Sequence, residues 1–118
     1  MTALEEGMRP EAPKVSTQKV RSLLLKAGEA KAGYTGYVYA NDGFKLQQHH
    51  GDKMGIKVMV QWMPQHTYGV ASREEIFRQG QRRQMALARY RKALEAAGLP
   101  VEAVEYSEGG NVAYLLVG

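Results

Sequence analysis

The sequence predicts a single α+β domain: a helix, a three-stranded meander, a second helix and a two-stranded hairpin. Both helices are expected on one face of a mostly antiparallel sheet. Three observations predict it. Two segments repeat apolar residues at three- and four-residue steps, the period of a helix with one stripe to bury. Residues 56–63 alternate strictly, with Ile56, Val58, Val60 and Trp62 set against Lys57, Met59, Gln61 and Met63. Residues 112–117, Val-Ala-Tyr-Leu-Leu-Val, are apolar on both faces, as a strand paired on both edges should be.

Residues 1–14 hold two prolines, a glycine and mixed charge without periodicity, and read as a flexible tail before a domain over 15–118. Ser16 or Thr17 caps the first helix, because a short hydroxyl accepts from a first-turn N–H that otherwise has no partner. Val20, Leu23, Leu24 and Ala27 line one side of it, and Gly28 sits where a left-handed stop belongs. A first strand is expected over 34–40, rich in tyrosine and valine and closed by the Asn41-Asp42-Gly43 turn. A second is expected over 44–49 and a third over 56–63, joined by a turn at 51–55. After a connector at 63–71, Ser72 and Glu75 form a capping box. The second helix then runs to Ala97, with Gly98 as its stop and Pro100 blocking continuation. Ile76, Gly80, Leu87, Tyr90 and Leu94 fall on one third of its circumference and form the expected core stripe. Strands over 101–106 and 112–117 pair as a hairpin through Ser-Glu-Gly-Gly-Asn.

A chain of 118 residues matches one domain and can bury a real core without staples. Hydrophobic content of 44% and charged content of 24% place it among globular chains and not among disordered ones. The absence of cysteine excludes disulfides and thiolate metal sites and fits a reducing compartment. No apolar run approaches the roughly 20 residues needed to cross a bilayer. The first residues lack the apolar stretch of a secretory signal, so a cytoplasmic location is expected. The net charge of +4 is uneven, because Glu5, Glu6 and Glu11 outweigh Arg9 and leave the rest more basic still. That balance favours a polyanionic partner or a plain solvated surface.

The second helix is the strongest candidate. Residues 76–94 hold Arg78, Arg82, Arg83, Arg89, Arg91 and Lys92 and no acid. At 100° per residue, Arg78, Arg82, Arg89 and Lys92 share a narrow arc opposite the apolar stripe. Like charges so spaced repel, each pair costing a few tenths of a kcal/mol. Arginine's planar fork suits phosphate oxygens. The functional reading is a phosphate-contacting stripe on nucleic acid, with Lys19, Arg21 and Lys26 of the first helix assisting. The plainer reading is a solvated face, partly neutralised by Glu102, Glu105 and Glu108 of the hairpin. Arg83 falls near the apolar stripe, either snorkelling or paired with a carboxylate.

The outward face of the meander is the second candidate, where Lys45, His49, Lys57 and Gln61 would gather, with Tyr37 and Tyr39. Basic and aromatic side chains on an open sheet can stack bases and hold phosphates. Half-buried sheets also carry tyrosine as ordinary packing. His49 and His50 point to opposite faces, and His66 lies in a connector without a fixed partner, so no metal site is expected. No cofactor motif, nucleophile elbow or phosphate loop is present. Met54, Met59 and Met63 offer an adaptable patch for a protein partner, or ordinary core filling.

The phrases RSLLLKAGEAKAGY, GFKLQQHHGD, IKVMVQW and RYRKALEAAGLPVEAVEY resemble small uncharacterised accessory proteins of actinobacterial phages, across about residues 19–117. The resemblance implies a viral protein made in the host cytoplasm and carries no site residues with it. The leading expectation is therefore a non-enzymatic protein of phage type that binds nucleic acid, DNA included, through the arginine-rich helix face. The alternative is an interaction module acting on an acidic host protein, and the third reading is an enzyme with an unrecognised site. The oligomeric state is left open.

Overall fold

Short hydroxyls start both helices. The first helix, α1 (Thr17–Lys26), opens at Ser16, whose Oγ accepts from the Lys19 N–H at 3.1 Å. The computed structural model describes residues 15–36, 38–50, 56–65, 72–106 and 110–118, with the backbone alone at His49, His50 and Ile56. The long helix α2 (Arg73–Ala96) opens at Ser72, whose Oγ accepts from the Glu75 N–H at 3.1 Å. Glu74 and Glu75 in its first turn meet the positive end of the helix dipole. Gly28 and Gly98 end the two helices at φ of +89° and +85°, a region that costs other residues dearly.

Four strands form one antiparallel sheet: β1 (Gly43–His50), β2 (Ile56–Met63), β3 (Val101–Glu105) and β4 (Val112–Val117), in the order β1-β2-β4-β3. The strand that is apolar on both faces, β4, lies inside the sheet as its pattern requires. Its insertion leaves β2 and β3 parallel to each other, bridged by α2 in a split crossover.

The register places Phe44, Leu46, Val58, Val60, Trp62, Leu115 and Val117 on one face. Val20 and Leu24 of α1, with Ala86, Leu87, Tyr90 and Leu94 of α2, pack on that face and complete the core. The Tyr90 ring meets Phe44 edge-on with centroids 6.1 Å apart. Both helices thus bury their stripes on the same side, and the other side of the sheet carries Lys45, Lys57, Met59, Gln61 and Glu102.

The structure corrects the sequence on two elements. Among the described residues, 34–36 and 38–40 join no strand of the sheet, which has four strands and not the expected five, with β1 and β2 in place of the three-stranded meander. Instead the chain folds back on itself. Tyr34 and Tyr39 pair as an isolated antiparallel bridge, and the Thr35 N–H donates to Val38 O at 3.0 Å. Gly36 turns at φ +101°, which leaves too few residues on either side for a sheet strand. Asn41 closes this loop rather than a hairpin: its Oδ1 accepts from Gly33 N–H at 3.2 Å and its Nδ2 donates to Lys31 O at 2.9 Å. Tyr37, the tail over 1–14, the turn at 51–55 and residues 66–71 of the connector lie outside the described residues.

The second correction concerns α2. Leu87, Tyr90 and Leu94 are buried as expected, but Ile76 is 59% exposed. A helix of 24 residues is about 36 Å long and outreaches strands of eight residues, so its first turns overhang the sheet.

Candidate nucleic-acid interface

The acid-free face of α2 forms, but part of it is turned toward the segment that joins α1 to β1. Arg89 makes a two-pronged contact with Glu29, Nε to Oε2 at 3.0 Å and Nη2 to Oε1 at 3.2 Å. The Glu29 side chain is only 14% exposed, so this pair is a tie between elements rather than a surface encounter. Those hydrogen bonds hold the Arg89 guanidinium above its ordinary pKa, against the opposing effect of burial. Arg82 Nε lies 3.6 Å from Asp42 Oδ2, and Asp42 Oδ1 also accepts from the Gln65 N–H. Arg78 lies 3.8 Å from Glu75 on its own helix, and Arg91 bonds Glu95 at 3.3 Å. The acids that temper the stripe therefore come from residues 29 and 42 and from α2 itself. Of the hairpin acids expected to do so, Glu102 pairs with Lys57 at 3.7 Å, Glu105 makes no ion pair among the described residues, and Glu108 lies outside the described residues.

Trp62 organises the centre of this region. The Arg82 and Arg83 guanidinium carbons lie 5.6 Å and 5.5 Å from its ring centroid. Arg83, placed at the edge of the apolar stripe by the sequence, is thus held by an aromatic face. A cleft of about 310 Å³ opens here, lined by Glu29, Asp42, Trp62, Arg82, Arg89 and Tyr90. It is the concave place nearest Glu29 that an enzyme reading would need, yet both acids in it are engaged by arginines. Burial, reinforced by the Glu29 charge, pushes the Tyr90 phenol well above its ordinary pKa.

A second basic cleft lies at the free edge of β1. Arg21 of α1, Lys31, Tyr34, Tyr39 and Lys45 line about 590 Å³, with Phe44 and Leu46 among its apolar contacts and no acid among its lining residues. Lys31 is fixed there by a parallel bridge to Phe44, where the Ala32 N–H donates to Phe44 O at 2.9 Å. Arg21 and Lys45 were legible as cations and Tyr39 as an aromatic, but the structure unites them in a place the sequence did not suggest. Lys31 and Tyr34 were missed. The signal for them was the pair of glycines, Gly33 and Gly36, which divides the tyrosine-rich stretch too finely for a strand.

The remaining expected cations are more scattered. Lys19 and Lys26 are exposed on α1 and Lys92 on α2, none within an ion pair among the described residues. Lys45, Lys57 and Gln61 share the outer sheet face by register, as expected, and Tyr39 meets Lys45 only at the β1 edge, in the cleft above. Met59 and Met63 are half-buried on that face, while Met54, His66 and the side chains of His49 and His50 lie outside the described residues. Among the described residues no cluster of His, Asp and Glu is built to hold a metal, and no helix is long and apolar enough to cross a membrane. No family model, no curated protein and no solved structure matches this chain, so its function is read from the residues above.

Proposed function

We propose that the protein binds nucleic acid through the basic faces of α2 and α1, as a phage-type accessory protein acting in the host cytoplasm. The observation that supports this reading most is the acid-free run 76–94 of α2, whose outer cations stay accessible. The Arg78 side chain is 59% exposed, and its contact with Glu75 is single and 3.8 Å long. Exposed pairs of this kind are worth about 0–1 kcal/mol, so a phosphate oxygen can replace the carboxylate. Lys92 makes no ion pair among the described residues. Arg82 is a weaker contributor because Trp62 and Asp42 already hold it, and Arg89 belongs to the frame through Glu29. Such contacts position a ligand without reading its bases, so the reading calls for weak sequence preference and steep salt dependence.

The test is binding of labelled duplex DNA, single-stranded DNA and RNA across a salt series. A plot of log affinity against log salt with a slope of about three to five supports the phosphate footprint, each neutralised phosphate contributing about 0.9 on duplex. Arg78→Glu with Lys92→Glu should then flatten that slope by about two. No binding at low salt removes the reading.

A second reading, docking to an acidic host protein, draws on the overhanging turns of α2. Ile76 and Phe77 are exposed there, Phe77 at 66%, beside Arg73 and Arg78. Basic steering with an aromatic anchor fits an acidic surface. Pull-down from nuclease-treated host lysate, compared between the wild type and Phe77→Ser, separates the two. Loss of every specific partner after nuclease counts against docking.

A further inference from the structure

The cleft at the edge of β1 combines features that the α2 stripe lacks. Its three cations, Arg21, Lys31 and Lys45, come from three separate elements and line one cleft with no carboxylate among the lining residues. Arg21 Nε is buried with no hydrogen-bond partner, the one such side-chain atom among the described residues. An unpaired buried donor is costly, and an arginine is a costly place to leave one. Beside these cations stands an ordered, exposed ring. Tyr34 is 62% exposed, yet its backbone is pinned by the bridge to Tyr39 and its hydroxyl donates to Gly36 O at 3.1 Å. The two rings touch at 5.1 Å and tilt by 50°, so the Tyr34 ring is braced from behind rather than free to swing. A large aromatic held in water at such restraint offers a face for stacking at little further entropic cost.

We infer that this cleft receives a base and its adjoining phosphate from a single-stranded polynucleotide. The base stacks on Tyr34 beside the half-buried Leu46, and the phosphate lies among Arg21, Lys31 and Lys45. The volume suits a ligand group of that size. A base within a duplex has both faces covered by its neighbours, so only an unpaired one can offer a face to the ring. The inference rests on the nucleic-acid reading and narrows it from phosphate contact to strand type.

The experiment compares a short labelled oligothymidylate with a duplex of equal phosphate number, against the wild type and five variants. Tyr34→Ala lowers affinity for the single strand by about tenfold or more and leaves the duplex unchanged, while Tyr34→Phe keeps most of it. Lys31→Gln and Lys45→Gln, both surface changes, each reduce the salt slope for the single strand by about 0.7. If the single strand and duplex bind alike, Tyr34→Ala changes neither, and Arg78→Glu with Lys92→Glu weakens both, the cleft is overturned and the broader reading stands. If neither nucleic acid binds, both fall. Thymidine monophosphate serves as competitor: failure to displace the strand at equal concentration supports a unit held within a polynucleotide, and displacement assigns the cleft to a free nucleotide instead.

Discussion

The Gln84 side chain completes the sheet where β4 begins. Its Nε2 donates to Val112 O and its Oε1 accepts from the Val112 N–H, both at 2.8 Å, so an amide on α2 mimics a neighbouring strand for one residue. On one side β3 pairs Glu105 with Val112 after a register shift at Val104, while on the other the β2–β4 ladder covers only Leu115–Val117 and stops short of Val112. Gln84→Leu should therefore lower stability by about 1–3 kcal/mol, read as a shift in the urea midpoint. Gln84→Glu should cost as much, since a carboxylate faces the Val112 carbonyl and cannot donate to it. Both variants matching the wild type would show that solvent serves Val112 equally well.

Gly43 sits where two backbones nearly touch. A Cβ there would lie 2.5 Å from both Ala30 O and Lys31 C and press on Ala32 N. Gly43→Ala should destabilise the protein by about 1–3 kcal/mol or more, because backbone cannot yield as a side chain would. The segment at 30–32 should also lose hydrogen-exchange protection, beginning with the Ala32 amide bonded to Phe44.

Glu29 and Arg89 tie the segment that follows α1 to the later half of α2. A double-mutant cycle with Glu29→Gln and Arg89→Gln should give a coupling of about 1 kcal/mol, weakened by salt because the Arg89 side is half exposed. The same cycle on Arg78 and Glu75 should give a coupling near zero.

Tyr90 sets an alkaline limit. Its phenol is 1% exposed and its pKa is raised above the ordinary value of 10.0. The folded state holds this proton more tightly than the unfolded state, so stability is unaffected below that ordinary value and falls as pH rises past it. Tyrosinate absorbance should show one phenol that ionises only together with unfolding, and Tyr90→Phe should move the unfolding transition to higher pH. Ionisation of every tyrosine before any loss of helix signal would contradict this.

The two ends of α2 should respond differently to truncation. Leu87→Ala removes a buried side chain and should cost about 2–5 kcal/mol, whereas Ile76→Ala should stay within about 0.5 kcal/mol. Thermal melts of the two variants check it.

Most of the fold was legible because its signals are local. Ser16, Ser72, Gly28 and Gly98 act on their own neighbours, and the alternation at 56–63 states a strand whatever surrounds it. Residues 34–40 misled because tyrosine and valine favour strands in general, while the turn at Gly36 and the bonds of Asn41 to Gly33 and Lys31, eight and ten residues away, decided the matter. Ile76 misled because periodicity reports a face of a helix but not how far the sheet beneath it extends. The interface was half legible for a related reason. The cations of α2 could be counted from the sequence, but Glu29 and Asp42 reach them only through the tertiary fold. The cleft at β1 needed three distant segments to meet.

The central position of β4 has a consequence for the order in which the protein can be made. The hairpin of β1 and β2 leaves the ribosome early, followed by α2, yet the inner edge of β2 waits for residues 112–117 before it can pair. Until then Val58 and Val60 belong to a two-stranded ribbon with an open, apolar edge, a species prone to pairing with other chains. Completion of the sheet therefore waits on its last strand, and any delay in making that strand lengthens the interval in which the nascent chain is exposed to aggregation.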